Sequence, residues 1–173
     1  MKFAIIAAGE GSRLATEGIN APKPMVKVHG EHLIDRLIRV FMKNNAEEIV
    51  VICNDKTTIV SRHLLELEED GLRGQPVPLQ FKVRSTPSSM HSFFQLRELL
   101  AGSPFVLTTV DTIFREQEFG QYVKAFKEVL ADKEGVVYGQ SVSRNEFGGN
   151  RWVIPSPDGS RLAVYRKDES GVS

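Results

Sequence analysis

The run FAIIAA at residues 3–8 is apolar at every position, and a glycine follows it at once. So short and uniformly apolar a run suits a strand buried on both faces. Such a strand needs hydrogen-bonded neighbours at its edges and other elements packed above and below it. The next 135 or so residues supply them in alternation. HLIDRLIRVFMKNN (32–45) sets Leu33, Ile34, Leu37, Ile38, Phe41 and Met42 on one helical face. EIVVIC (48–53) reads as a β-branched buried strand, and TTIVSRHLLELEEDG (57–71) as a helix stopped by glycine. LQFKV (79–83) alternates as a strand does, and SMHSFFQLRELLAG (89–102) is a helix between a serine start and a glycine stop. PFVLTTV (104–110) is a further buried strand, EFGQYVKAFKEVLADK (118–133) a helix, and GVVYGQSVS (135–143) a fifth strand. This order predicts right-handed crossovers and a three-layer α/β/α architecture around a mostly parallel sheet. After residue 145 the style changes: NEFGGNRWVIPSPDGSRLAVYRKD holds two alternating runs around Pro-Asp-Gly, the pattern of a C-terminal β-hairpin. One domain over 1–173 is expected, with a core at 1–145 and the hairpin region at 146–173.

Composition excludes some classes of function. Lys plus Arg and Asp plus Glu each number 22 in the 173 residues. A neutral balance argues against nucleic acid as a partner, because that association needs a basic surface to displace counterions. No run approaches the ~18 apolar residues of a membrane span, and the N-terminal apolar segment is too short for a signal peptide. No membrane partner and a cytoplasmic location are the expectations. Cys53, the one cysteine, has no partner for an internal disulfide and no metal-ligand spacing around it, and reads as a buried structural thiol.

In open α/β sheets the ligand sits beyond the carboxyl ends of the strands. That rule gathers Gly9–Lys23, Ser85–Ser92 and Asp111 around one crevice, since each follows a predicted strand. Gly9 and Gly11 allow close backbone approach and an anion-binding concavity; the alternative is a tight turn that needs glycine for its own geometry. The stretch is neither a dinucleotide fingerprint, whose third glycine would fall at Leu14, nor a Walker A loop. Arg13 offers a planar fork to phosphate oxygens and Lys23 a compact charge. Pro22 and Pro24 stiffen the backbone on both sides of Lys23, which an idle surface lysine does not need. Asp111 would repel an anion there unless Mg²⁺ lay between them; the alternative is an N-cap or turn aspartate. In STPSSMHS (85–92), exposed N–H groups could read a nucleobase or a phosphate, and capping by Ser88 or Ser89 explains the same residues. His91 reads as a partly exposed helix residue.

Together GEGSR (9–13), PKPMVKVHGEHLIDRLIRV (22–40) and PFVLTTVD (104–111) resemble the sugar-1-phosphate nucleotidylyltransferases. Those proteins typically read GGxGTRL, then PKP(L/M)xPVxGKPLIxxxL, then a strand ending in aspartate. Gly9, Gly11, Arg13, Pro22, Lys23 and Pro24 match position by position, and the resemblance covers residues 1–145 well and the hairpin region loosely. It implies a Rossmann-like fold with a nucleotide-binding core and Mg²⁺-dependent transfer of a nucleoside monophosphate from an NTP to a sugar 1-phosphate, releasing pyrophosphate. Ala7, Ala8, Gly9, Gly11, Ser12 and Arg13, with Thr86, Ser88 and Ser89, would bind the nucleotide. Arg13 would hold the departing pyrophosphate, Lys23 the phosphates at the reacting centre, and Asp111 the metal.

No general base is expected, because a sugar phosphate has a second pKa near about 6 and is already nucleophilic at neutral pH. The resemblance leaves open transfer to another phosphorylated acceptor, such as phosphocholine or molybdopterin, a reduced nucleotide- or sugar-nucleotide-binding module, and homo-oligomerisation. Two departures stand out. Ser89 occupies a position where the family's base-binding loop usually has glycine. Members also commonly carry a second metal-binding aspartate beyond the hairpin, where this chain offers only Asp168 and Glu169. The expectation is therefore the N-terminal part of a longer protein, or one whose acceptor half is reduced.

Overall fold

The computed structural model describes residues 1–9, 21–112, 114–132, 139–141, 151–155 and 162–166. It divides into two compact units, Met1–Asp111 and Thr112–Ser173. The first is built on β1 (Lys2–Ala7), a 3-10 turn at Lys23–Met25, β2 (Lys27–Val28), β3 (Glu31–His32), α1 (Leu33–Lys43), β4 (Glu48–Cys53), α2 (Thr58–Asp70), β5 (Leu79–Val83), α3 (Ser89–Gln95), α4 (Arg97–Leu100) and β6 (Phe105–Thr109). The second contains α5 (Glu116–Asp132), β7 (Gly139–Ser141), β8 (Arg151–Pro155) and β9 (Leu162–Arg166).

Four strands form the expected parallel sheet in the order β5-β4-β1-β6. The register aligns Ala7 with Cys53 and Ile6 with Thr109, so the carboxyl ends lie level. Phe3, Ala4 and Ile5 are fully buried, as the uniform run at 3–8 requires. Helices cover both faces. On one, Phe3 stacks on Phe41 of α1 with ring centroids 4.7 Å apart. On the other, Ala4, Ile6 and Ala8 pack with Val50, Ile52, Leu96 and Leu100. Complete burial of side chains this size is worth about 1.5–3 kcal/mol each, and the sheet interior concentrates that driving force. Cys53 belongs to this interior, where burial pushes its thiol up to about 11 against a weaker opposing backbone hydrogen bond. It is the inert structural thiol expected.

Three local features differ from the sequence reading. The helix expected over 89–102 is two, broken at Leu96 with no glycine or proline to mark the place. Tightening of the Phe93–Leu96 turn sends both Leu96 and Leu100 into the core. The carbonyl of Gln95 then accepts a hydrogen bond from Lys82 Nζ on β5 at 2.8 Å. Next, His29 (φ 52°) and Gly30 (φ 76°) turn β2 back onto β3, the two successive positive φ angles of a tight hairpin. Finally, the described part of the expected fifth parallel strand, β7, pairs antiparallel with β8. Strand–helix alternation along the chain does not specify which strand a segment pairs with, and an antiparallel neighbour is reached here. β8 also pairs antiparallel with β9, Trp152 opposite Tyr165; residues 156–161 between them lie outside the described set. In α5, Phe119, Val123 and Phe126 are buried along one helical face.

Two predictions follow from this architecture. Gly71 closes α2 at φ 77°, ψ −170°, a region open essentially to glycine alone, and an added Cβ would lie 2.2 Å from the Gln75 carbonyl oxygen. Gly71→Ala should destabilise the protein by about 1–3 kcal/mol or more, read as a lower urea midpoint with unchanged slope. Helices α1 and α2 are also tied by His63 Nε2, 2.6 Å from Asp35 Oδ1. The hydrogen bond to Asp35, against partial burial and with the charges of Asp35 and Glu66, raises the His63 pKa above its ordinary 6.5. A raised folded-state value means stability fully present below the unfolded pKa and lost as pH rises through the folded one. The melting temperature should therefore fall more steeply as pH rises above 6.5 in the wild type than in His63→Gln.

Candidate functional site

The chain passes from β1 outward to β4 and β5, then crosses back to β6 on the far side of β1. The crevice of an open sheet opens at such a reversal, here between the carboxyl ends of β1 and β6. Ala7 and Ala8 are buried where β1 enters it, and Gly9 emerges exposed. Among the described residues, a Cβ on Gly9 would meet nothing within 4 Å. Packing against the described groups does not call for glycine there. Gly11, Ser12 and Arg13 lie outside the described residues.

On the other side of the reversal, the Val110 N–H donates to the Ile6 carbonyl at 3.1 Å, carrying the β1–β6 pairing to the brink of Asp111. Asp111 Oδ2 accepts a hydrogen bond from Lys23 Nζ at 3.0 Å, joining residues 88 positions apart. The side chains are 50% and 33% exposed respectively, so the pair faces the crevice rather than the core. Burial pushes the Asp111 pKa up, but hydrogen bonds from Lys23 and Thr109, together with the Lys23 charge, outweigh it and hold the carboxyl below its ordinary value. Asp111 is therefore an anion at neutral pH, and Thr109 joins the site beside it.

Lys23 is aimed by its backbone. Pro22 enters at φ −56°, Pro24 is buried, and the Met25 N–H donates to the Pro22 carbonyl at 2.9 Å to close a single 3-10 turn. The two prolines fix the approach of the chain on either side, as the sequence suggested.

At the carboxyl end of β4, Asn54 is 2% exposed and holds the strand ends together. Its Nδ2 donates to the Ala8 carbonyl at 3.2 Å, and its Oδ1 accepts from the Lys56 N–H and from Ser85 Oγ, each at 2.7 Å. Ser85 Oγ also lies against the exposed Asp55 carboxylate, a contact that lowers the pKa of Asp55. Beyond it, Thr86 Oγ1 contacts Ser92 Oγ and donates to the Ser88 carbonyl at 3.2 Å. Ser88 caps α3, its hydroxyl accepting from the His91 N–H and touching the His91 ring at 2.7 Å. Ser89 starts the helix, exposed, and His91 is exposed as expected. The structure thus brings Ala7, Ala8, Gly9, Lys23 and Asp111 to the β1–β6 crevice and sets Thr86, Ser88 and Ser89 after β5. Sequence reading passed over Asn54; its signal was an amide directly after the apolar run EIVVIC.

Chemically, the crevice presents a hard carboxylate oxygen and an ammonium side by side. No cluster of three or more His, Cys, Asp or Glu is found among the described residues. A lone ionised carboxylate still suits Mg²⁺, which takes one or two carboxylates and completes its shell with water and substrate phosphates. Among the described residues no helix is long and apolar enough to cross a membrane.

A sequence profile of the nucleotidyl transferases matches residues 2–148. The chain belongs to that family. Within it, similarity extends to the UTP–glucose-1-phosphate uridylyltransferase AglF of Haloferax volcanii, 27% identical over 168 residues, covering 91% of this chain and 66% of that protein. A mannose-1-phosphate guanyltransferase of Hypocrea jecorina is 28% identical over 116 residues, 65% of this chain and 31% of that one. The chain thus spans less than two thirds of the length of these relatives. Among solved structures, a putative glucose-1-phosphate thymidylyltransferase from Bacillus anthracis superposes with a TM-score of 0.66 at 20% identity, over 83% of this chain and 56% of that one. UDP-glucose pyrophosphorylase complexed with UDP-glucose does so with a TM-score of 0.61 at 15% identity, over 95% and 73%. These likenesses show a shared nucleotidyl transferase fold.

Asn54→Ala removes a buried hub and takes a hydrogen-bond partner from both the Ala8 carbonyl and the Lys56 N–H. It should cost at least about 1–3 kcal/mol, the usual penalty for one unsatisfied buried group. Thermal melting reads the loss, while hydrogen exchange should rise first at the Lys56 amide, whose acceptor is the Asn54 side-chain oxygen.

Proposed function

We propose that the protein transfers a nucleoside monophosphate from an NTP to a sugar 1-phosphate, giving an NDP-sugar and pyrophosphate. The observation that carries this reading is the meeting of Lys23 Nζ and Asp111 Oδ2 at 3.0 Å, at the sheet's topological reversal. Family membership and the sugar-1-phosphate nucleotidyltransferases among the relatives support the substrate class.

An oxygen of the acceptor phosphate attacks the α-phosphorus of the NTP and forms a new P–O bond. The bond from that phosphorus to the bridging oxygen of the β-phosphate breaks, and pyrophosphate carries the electron pair away. The nucleophile is already ionised, so the protein's task is alignment and charge stabilisation rather than proton abstraction. Lys23 neutralises charge on the phosphates at the reacting centre, leaving Asp111 as it does so. Arg13 holds the departing pyrophosphate. Gly9 and Gly11 admit the nucleotide phosphates to the backbone, beside Ala7, Ala8 and Ser12. Thr86, Ser88 and Ser89 lie toward the base and sugar. Asp111 would hold Mg²⁺, which when bound supplies charge neutralisation for the phosphates.

Incubation with Mg²⁺, each NTP and a panel of sugar 1-phosphates should release pyrophosphate with at least one pair. Lys23→Ala and Asp111→Asn should each lower kcat by about 10²–10³-fold with melting temperatures close to the wild type. Nucleotide binding without pyrophosphate release from any pair would reject the enzyme and favour a binding module.

A further inference from the structure

The precision of Lys23 depends on the backbone beneath it, because a flexible four-carbon stem adds freedom at every bond. Four carbonyls flank or follow its Cα closely. Those of Pro22 and Lys23 accept the N–H groups of Met25 and Val26, at 2.9 and 3.2 Å, within the 3-10 turn itself. That of Val26 accepts the Leu33 N–H at 2.9 Å, a bond any non-proline residue at position 33 would supply. The Met25 carbonyl lies 2.8 Å from Nδ1 of His32, and this contact alone of the four needs a particular side chain. A carbonyl can only accept, so the His32 ring carries a proton on Nδ1 and donates it.

The ring is itself held. His32 packs edge-on against His63, centroids 5.2 Å apart and planes at 64°, and His63 Nε2 is fixed 2.6 Å from Asp35 Oδ1. A continuous series of contacts therefore runs from Asp35 on α1 and His63 on α2, through His32, to the turn that carries Lys23. Its far end is the ammonium 3.0 Å from Asp111.

We infer that His32 is a positioning residue for Lys23, acting through its Nδ1–H···O bond to the Met25 carbonyl. The inference rests on the nucleotidyl-transfer reading of the Lys23 site. Without the bond, the turn loses its side-chain tether and is tied to the following segment through the Val26 carbonyl and the short β2–β3 pairing, and the ammonium samples a wider volume over the crevice. A misplacement of about 1 Å can cost on the order of a hundred-fold in rate, while a loosened lysine still attracts phosphate by its charge. The loss should therefore fall on kcat more than on KM.

The test compares His32→Leu with His32→Asn. Asparagine places an amide nitrogen as far from the backbone as Nδ1, so it restores the donor that leucine lacks. His32→Leu should lower kcat by about ten- to a hundred-fold with a smaller change in KM for the NTP, and His32→Asn should stay within about three-fold of the wild type. Equal losses in both variants, or wild-type kcat in a folded His32→Leu protein, would overturn the inference. Should His32→Leu fail to fold, His32→Gln replaces it, since its amide lies one carbon too far out and should behave like leucine.

A second readout does not depend on turnover: the NMR signal of isotope-labelled dimethyl-Lys23, assigned with Lys23→Arg. It should move to the solvent-lysine position in His32→Leu and keep its wild-type position in His32→Asn. If the wild type turns over no substrate pair, the functional reading fails by itself and this signal still decides the positioning role. An unmoved signal in His32→Leu rejects it.

Discussion

Hydrogen bonding of β1 to β4 on one edge and to β6 on the other, with Phe3, Ala4 and Ile5 sealed from water on both faces, is the constraint everything else in the first unit obeys. The pairing levels the strand ends, so residues just past positions 7, 53 and 109 reach the same side of the sheet together. Buried apolar area fixes the helices against each face. The polar segments that leave the strands carry their hydrogen-bonding groups beyond the sheet's carboxyl edge. The crevice follows from a packing problem, and chemistry occupies the place that packing leaves open.

Electrostatics at that crevice serve a different purpose from stability. An ion pair exposed to the degree of Lys23 and Asp111 contributes about 0–1 kcal/mol, far less than one buried leucine. Its value lies in holding opposite charges where a phosphate and a divalent cation can each take one of them. The supports are buried or partly buried: Pro24 and the His32 bond beneath Lys23, Thr109 and the β1–β6 pairing beneath Asp111, and Asn54 beneath the ends of β1 and β4. Rigidity comes from below, and the charged groups remain free to exchange partners.

Much of this was legible in the residues. The apolar runs located β1, β4 and β6, and the helical stripe at 33–42 found the buried face of α1, with Val40 joining it and Leu33 and Met42 at its margin. Lys23 and Asp111 could be paired on paper because the strand-end rule brings the segments after β1 and β6 together. The break at Leu96 was not legible, since no residue there disfavours helix and only the position of the sheet makes both Leu96 and Leu100 turn inward. The run containing β7 reads as a fifth parallel strand because strands and helices alternate before it, yet pairing partners are chosen between strands, and alternation along the chain carries no partner information. Asn54 and His32 went unread for a related reason. A lone amide or imidazole acquires a role only from the carbonyl it meets, at Ala8 or Met25.

The sequence by itself determined the class of fold, the four strands that form the parallel core, though not the departure of the fifth, and the pairing of Lys23 with Asp111 as candidates at one crevice. Periodicity and the burial of apolar side chains are local properties written along the chain. Tertiary structure decided the contacts between residues distant in sequence: Lys23 with Asp111, Asn54 with Ala8 and Ser85, His63 with Asp35. Each such contact exists because two segments have already been brought within about 3 Å of one another, and only the folded sheet does that.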